Sequence, residues 1–132
     1  MNPEVWKERS QEEVEAFAGL LGYGQDDEIF EQANAVCERI ETDDQYIWVV
    51  DDTGVVRVGK YFVHTNILDH DDQKVVRLAQ ELLDLHEVAP EGTFIRYEIP
   101  DESSETMQAF VKPVMGDEGV VYVVGWGFCC QE

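Results

Sequence analysis

Two stretches near the N-terminus have the spacing of amphipathic helices. In the first, apolar residues recur at intervals of three and four, at Val14, Phe17, Ala18, Leu20 and Leu21. Ser10 and Glu13 precede most of them in the order of a capping box, in which each side chain bonds the backbone N–H of the other residue. Gly22 and Gly24 end this predicted helix, because glycine readily takes the left-handed conformation found at helix ends.

A second helix is predicted to begin at Asp26 or Asp27, since aspartate caps helices well and its charge suits the positive end of the helix dipole. Its apolar residues form one stripe, which comprises Ile29, Phe30, Ala33, Val36, Cys37 and Ile40. Two uses of this stripe remain open. It can cover a sheet, or it can join two copies of the chain as an interface.

The pattern becomes extended from residue 46 onward. The run Tyr46–Val50 is β-branched and aromatic, which is typical of a strand. The segment Asp51–Gly54 predicts a turn, and Val55–Val58 then returns as the second strand of a hairpin. After the irregular stretch Gly59–His70, a third helix is predicted, with Asp71 or Asp72 as its cap. Its apolar face comprises Val75, Val76, Ala79, Leu82, Leu83 and His86.

Three further strands are predicted at Thr93–Ile99, Met107–Val114 and Val120–Phe128, and their short connections favour an antiparallel meander. The resulting order, ααββαβββ, predicts an α+β fold with one five-stranded antiparallel sheet, N-terminal helices and one crossover helix. A single domain is expected over residues 1–132, with the N-terminal helices in 1–42 and the sheet with its inserted helix in 45–130.

Both faces of the last strand are apolar. One face carries Tyr122, Val124, Trp126 and Phe128, and the other carries Val121, Val123, Gly125 and Gly127. We therefore expect the N-terminal helices on one side of the sheet, and the irregular loop with the third helix on the other. A sheet covered in this way leaves a concave space that can hold a small ligand.

The net charge of the chain limits the classes of molecule that it can bind. Among 132 residues, 29 are acidic and 9 are basic, which gives a net charge of -20. Such a surface repels nucleic acid and anionic lipid, so DNA, RNA and membrane surfaces are excluded as partners. The acid excess fits either the cytoplasm of a halophile or a field that steers cationic ligands. The absence of a signal peptide or a long apolar run, together with an odd count of three cysteines, predicts a soluble cytoplasmic protein with free thiols.

Catalysis is not predicted. The sequence has no P-loop, nucleophile elbow or HExxH motif, and its histidines lack the spacing of metal ligands, so we expect neither an enzyme nor a cofactor. The segment Asp69–Asp72 is better explained as a solvated helix start than as a cation site, and Cys129 and Cys130 as inert thiols. Three basic residues within strands, Arg57, Arg96 and Lys112, need anionic partners if they are buried. Those partners could be carboxylates of the protein or of a ligand.

Several weak motifs occur in an order that resembles the Cache superfamily of small-ligand sensor domains, in its single-module form. A strand with an acidic glycine turn (Tyr46–Gly54) precedes an acid-rich segment that opens a helix (Asp69–Val76). The strand Glu91–Pro100 is similar to the family's glycine-aromatic-tyrosine strand, and Lys112 stands in the next one. The stretch Val121–Phe128 looks like the closing glycine-rich strand. The match covers about two-thirds of the chain.

The resemblance implies a PAS-like sheet with a pocket between the sheet and the loops over it, and the binding of small organic ligands, often amino acids or carboxylates, in signalling. The residues it implies for ligand binding are Tyr46, Trp48, Phe62, Arg96, Tyr97, Lys112 and Tyr122. Arg96 and Tyr97 point to opposite faces, so at most one of them lines the pocket. Family members usually lie between transmembrane helices, whereas this chain is predicted to be free-standing.

Two functional hypotheses follow. In the first, the chain is a sensor-like domain in the cytoplasm that binds a small polar or carboxylated metabolite, with Arg96 or Lys112 pairing the charge of the ligand. In the alternative, it is a ligand-free interaction domain that forms a homodimer through its N-terminal helices.

Overall fold

The computed structural model describes residues 3–39, 46–59, 63–98 and 106–129. Its helices are α1 (Pro3–Ala18), α2 (Asp26–Arg39), α3 (Gln73–Leu83) and α4 (Leu85–Val88). Its strands are β1 (Tyr46–Val50), β2 (Val56–Val58), β3 (Thr93–Glu98), β4 (Thr106–Met115) and β5 (Val121–Cys129). Ile40, Phe62 and Cys130, to which the sequence assigned roles, lie outside the described residues. No helix in the described part of the chain has the length and apolar content to cross a membrane.

The strands form one antiparallel sheet in the order β2-β1-β5-β4-β3. The predicted hairpin β1–β2 and the predicted meander β3–β4–β5 are both present, which confirms the α+β class and the five-stranded sheet. β5 lies at the centre, where it pairs with β4 on one side and with β1 on the other. The hairpin formed early in the chain is thereby docked onto the last strand.

The first helix starts earlier than the sequence pattern indicates. α1 already begins at Pro3, so the predicted capping box at Ser10 and Glu13 is wrong. Ser10 is fully buried inside the helix, and its hydroxyl donates to the Lys7 carbonyl oxygen at 2.9 Å. Proline at the first helical position and an acidic first turn favour the earlier start, because proline needs no hydrogen-bond acceptor there.

α2 begins at Asp26, as predicted, but its apolar stripe is only partly covered. Phe30 and Cys37 are buried, whereas Val36 is 57% exposed. Cys37 donates its thiol hydrogen to the Ile47 carbonyl oxygen at 3.5 Å, which ties α2 to β1. Burial raises the pKa of this thiol above its usual value, so it stays protonated and unreactive at neutral pH.

The third predicted helix is divided in two. Asp72 caps α3 as predicted, and its carboxylate accepts the Lys74 N–H at 2.8 Å. The helix ends at Leu83, and α4 follows from Leu85, so the single long helix expected from the spacing is interrupted at Asp84. His86 does not belong to the buried face, because its side chain is 53% exposed.

The sheet has two buried faces. Residues paired on neighbouring strands share a face, so the pairs Phe94↔Phe110, Phe110↔Trp126 and Ile47↔Trp126 define the face beneath α1 and α2, here called the α1–α2 face. The Trp6 ring of α1 stacks on Trp126 at 6.2 Å there.

The opposite face is named the Trp48 face. It carries Trp48, Gly125 and Val111, which form one row across three strands, and a second row with Tyr46, Gly127, Ala109 and Ile95. Val111 and Val123 on it are 0% and 3% exposed, so this face is covered as well. Since α1 and α2 lie on the other side, α3 and α4 are the described helices left to cover it, and the apolar residues of both belong to the same core.

Candidate functional site

The position of Trp48 depends on a missing side chain. Trp48 on β1 lies directly opposite Gly125 on β5, and its indole occupies the space above the glycine backbone. A β-carbon at Gly125 would overlap three atoms of the indole ring. A glycine at this register position therefore lets a large aromatic ring lie flat against the centre of the sheet.

Tyr97 reaches the same region from β3. Its ring packs edge-on to that of Trp48, with centroids 6.1 Å apart and an interplanar angle of 78°. A β-carbon at Gly127 would lie 2.5 Å from the Tyr97 hydroxyl oxygen and 3.7 Å from Trp48 Nε1. The polar ends of the two aromatic side chains thus converge above Gly127.

Neither polar end has a hydrogen-bond partner among the described residues. Trp48 Nε1 and the Tyr97 hydroxyl oxygen are both buried. The indole N–H is near the hydroxyl, but the two groups do not have the geometry of a hydrogen bond. A buried polar group left without a partner costs about 1–3 kcal/mol, and such groups are uncommon in folded proteins. Two of them side by side are a structural cost that an acceptor from outside the chain would remove.

Both groups are donors under all ordinary conditions. Burial raises the pKa of the Tyr97 hydroxyl far above its usual value, and the nearby indole N–H opposes this shift only in part. The hydroxyl therefore keeps its proton at physiological pH. An indole N–H can only donate, and the Tyr97 hydroxyl also has a proton to donate. Both groups therefore need an acceptor.

The described strand residues on the same face as Trp48 and Tyr97 are uncharged. Within residues 46–50, 93–97, 107–115 and 121–127, the strand residues that share the Trp48 face are aliphatic, aromatic, glycine, proline, methionine or threonine. From the covering side, α3 contributes the buried residues Val75, Ala79 and Leu82 to the core. The arrangement is an apolar site with a few convergent polar groups, which is the usual composition of a small-molecule site.

The structure divides the ligand-binding residues predicted from the sequence between the two faces. Tyr46, Trp48 and Tyr97 share the Trp48 face. Arg96, Lys112 and Tyr122 share the α1–α2 face, where they pair with Gln108, Val124 and Val114. Arg96 and Tyr97 do point to opposite faces, as predicted, and Arg96 is exposed.

Tyr122 and Arg57 belong to a cluster on the α1–α2 side. Tyr122 packs edge-on against Phe30 at 5.1 Å, and burial raises the pKa of its hydroxyl, with Arg57 opposing the shift. Arg57 is paired with protein carboxylates, at 3.0 Å from Asp27 and 3.6 Å from Asp51. Of the two partners that the sequence left open for Arg57, the structure shows the internal one.

Gly125 and Gly127 belong to the candidate site, although the sequence indicated only close backbone packing for them. The close packing is real, but what packs against these glycines is the pair of candidate ligand-binding side chains. A signal was available, since both glycines alternate onto one face of β5. Only the register between β1, β4 and β5 shows that this face is the one that carries Trp48.

Two grooves lie outside this site. One, of about 610 Å³, runs between α1 and α2, has Trp126 and Ile47 in its lining, and contains one arginine and one glutamate, Arg9 and Glu13. The other, of about 600 Å³, lies between α2 and β2 and is lined by four carboxylates together with Arg57 and His64. Within the described ranges, no group of three or more His, Cys, Asp or Glu side chains is arranged to hold a metal ion.

Comparison with known proteins identifies the fold. No family model matches the sequence, and no curated protein matches it. Among solved structures, the chain is similar to a Cache chemosensory domain that recognises carboxylic acids, with a TM-score of 0.67, 15% identity and coverage of 97% of this chain and 95% of that one.

Two further structures are similar over most of the chain. A methyl-accepting chemotaxis protein from Vibrio parahaemolyticus gives a TM-score of 0.53, with 11% identity over 92% of this chain and 83% of that one. The extracellular domain of the histidine kinase mmHK1S-Z2 gives 0.45, with 19% identity, and 74% of this chain spans only 36% of that one. The match with the TM-score of 0.67 confirms the fold that the order of motifs implied, and the chain has the fold of a Cache domain.

Proposed function

We propose that this chain is a sensor-like domain that binds a small polar or carboxylated metabolite on the Trp48 face. The observation that carries the proposal is the pair of buried donors, Trp48 Nε1–H and the Tyr97 hydroxyl, which converge on one point of an otherwise apolar site. The Cache fold supports it, because a domain of similar structure over nearly the whole chain recognises carboxylic acids.

The proposal assigns binding without catalysis. Trp48 and Tyr97 supply flat apolar surfaces together with two polar groups, and Tyr46 lies on the same face, directly opposite Gly127. Arg96 and Lys112 lie on the α1–α2 face, so the proposal gives them no contact with this ligand. In this proposal, ligand binding acts as a signal because it changes the surface through which the chain contacts another protein.

A thermal-shift screen in high salt tests this function. The panel contains amino acids, small carboxylates, amines and purines, applied to protein refolded from denaturant so that no ligand is carried along. A ligand at about 100 times its Kd adds roughly 2.7 kcal/mol to the free energy of unfolding, which moves the Tm by several degrees at this size. A saturable shift for one chemical class supports the proposal. A flat response across the panel, from protein shown to be folded, contradicts it.

A second candidate function, self-association, is favoured by the groove between α1 and α2. Leu20 and Val36 at this groove are 52% and 57% exposed, although both are large and apolar. The charges of Arg9 and Glu13 in the groove cancel, so the whole net charge of -20 lies elsewhere on the chain. A second copy, which is equally acidic, meets least repulsion on a surface of this kind.

Sedimentation velocity at low and high salt separates this candidate from a monomeric domain. Self-association through the groove predicts a dimer that strengthens with salt and is lost in Val36→Glu. Val88→Glu is the matched control, because Val88 is 77% exposed on α4 and the substitution adds the same charge away from the groove. A monomer at every concentration and salt level would remove this candidate.

A further inference from the structure

We infer that the ligand is held by an oxygen atom that accepts hydrogen bonds from both Trp48 Nε1–H and the Tyr97 hydroxyl above Gly127. The inference rests on the proposed function and names the chemical class it takes: a small molecule with a carbonyl or carboxylate oxygen at one end. It also names the mode of recognition, in which two uncharged donors replace the cation expected from the sequence.

The geometry supports a shared acceptor. Gly127 has no side chain, and two polar atoms approach the position that its β-carbon would occupy. They come from opposite sides of β5, Trp48 Nε1 from the adjacent β1 and the Tyr97 oxygen from β3, which lies beyond β4. They belong to rings held edge to face, so neither can turn away without losing its packing. One oxygen has lone pairs for two such donors, and placing it there satisfies both buried groups at once.

The chemistry of the two donors also decides what the site rejects. The Tyr97 hydroxyl stays protonated because its pKa is raised, and the indole N–H has no acceptor capacity. A ligand ammonium has no lone pair, so it would leave the indole N–H and the Tyr97 proton without an acceptor. We expect amines to be excluded from this position, even though the net charge of the chain attracts cations.

The first test needs no ligand. Tyr97→Phe removes a buried hydroxyl that has no partner among the described residues, so the free protein should gain stability, with a higher midpoint in urea. Tyr122→Phe is the matched control, because it removes a hydroxyl on the other face that is not among the unpartnered buried atoms. A loss of stability in Tyr97→Phe would show that the hydroxyl already has a partner in the free protein, and it would overturn the inference.

The second test uses three probes with three carbon atoms each, which are propionate, propionamide and propylamine. The readout is the indole N–H resonance of Trp48, assigned among the three tryptophans by its absence in Trp48→Phe. An acceptor should shift this resonance downfield, and Tyr97→Phe should weaken the binding about tenfold, the usual effect of one lost hydrogen bond. Tyr122→Phe should leave binding unchanged.

The outcomes separate the inference from the function on which it rests. Shifts with propionate alone identify an anionic oxygen, shifts with propionamide alone identify a neutral one, and both results support the inference. A response to propylamine but not to the other two, or no movement of the Trp48 resonance with any probe, overturns it. If a ligand from the thermal-shift screen binds Trp48→Phe and Tyr97→Phe with unchanged Kd, the function stands and the inference fails. If nothing in that screen binds, the proposed function itself fails.

Discussion

Asp26 and Asp117 each accept a hydrogen bond from the backbone N–H of the other, although 91 positions separate them. Asp26 Oδ2 accepts from Asp117 N at 2.6 Å, and Asp117 Oδ2 accepts from Asp26 N at 3.1 Å. Their remaining oxygens accept from Gly22 and Gly24 at 2.8 and 2.6 Å. This exchange joins the start of α2 to the turn between β4 and β5, and it holds the helical layer on the sheet at the end of its central strand.

Replacing Asp26 should therefore destabilise the protein as a whole. Asp26→Ala removes two charge-assisted acceptors and leaves the Gly22 and Asp117 N–H groups without their partner, which predicts a loss of about 3 kcal/mol in the free energy of unfolding. Asp27→Ala removes the same charge one residue later, but its ion pair with Arg57 is exposed at the aspartate and should cost under about 1 kcal/mol. Urea unfolding measures both. Equal effects of the two substitutions would contradict the structural role of Asp26.

Gly125 should not tolerate a side chain. Gly125→Ala places a β-carbon into the Trp48 indole, and such overpacking costs about 1–3 kcal/mol. Gly19→Ala is the control, since the nearest atoms to a β-carbon there are 3.5 and 3.6 Å away. Thermal unfolding, together with the near-ultraviolet circular dichroism of Trp48, should show the loss in the first variant alone. A Gly125→Ala protein of unchanged stability would mean that the indole does not lie over β5.

The fold was largely predictable from the sequence because its signals are local. Each strand has its own alternation or β-branched run, and the short connection between β1 and β2 leaves only a hairpin. The start of α1 was missed because the first nine residues carry few apolar positions, so the helix shows its period only after it has begun. The interruption at Asp84 was missed because apolar spacing continues across it to His86.

The site was only half predictable, for a reason that lies in the register. Alternation along β3 shows that Arg96 and Tyr97 face opposite sides, but it does not show which of them shares a side with Trp48. That depends on the pairings of β3 with β4, β4 with β5 and β5 with β1, each of which reverses every side chain if it shifts by one residue. The sequence named Trp48 and Tyr97, which share one face, together with Arg96 and Lys112, which lie on the other face.

High salt should stabilise the protein. With 29 acidic and 9 basic residues, repulsion between carboxylates opposes the compact state, and salt screens it. Urea unfolding in about 0.1 M and 1 M NaCl should show a higher free energy of unfolding at the higher concentration, because the Debye length falls from about 10 Å to 3 Å. Urea is suitable because it carries no charge. A protein that is equally stable at both concentrations would show that the net charge has no energetic consequence for folding.

Alkaline pH should destabilise the protein through Tyr97. Its pKa is raised above the usual value of 10.0 in the folded state, so the neutral hydroxyl favours folding. This contribution is complete below pH 10 and is lost as the pH rises through the folded-state pKa. The wild type should lose about 1 kcal/mol more than Tyr97→Phe between about pH 10 and pH 11. Cys37 and Tyr122, whose pKa values are also raised, are present in both proteins and cancel in the difference. Parallel pH profiles would show that Tyr97 titrates normally.

Calorimetric titration shows whether the Trp48 face binds a small molecule. The titrant is the compound that gives the largest saturable thermal shift, and it is added to the wild type, Tyr97→Phe and Tyr122→Phe in high salt. We expect one site per chain, a Kd raised about tenfold in Tyr97→Phe, and an unchanged Kd in Tyr122→Phe on the opposite face. Binding that is weakened only by Tyr122→Phe would place the ligand beneath α1 and α2, and the Trp48 face would then not be the binding site.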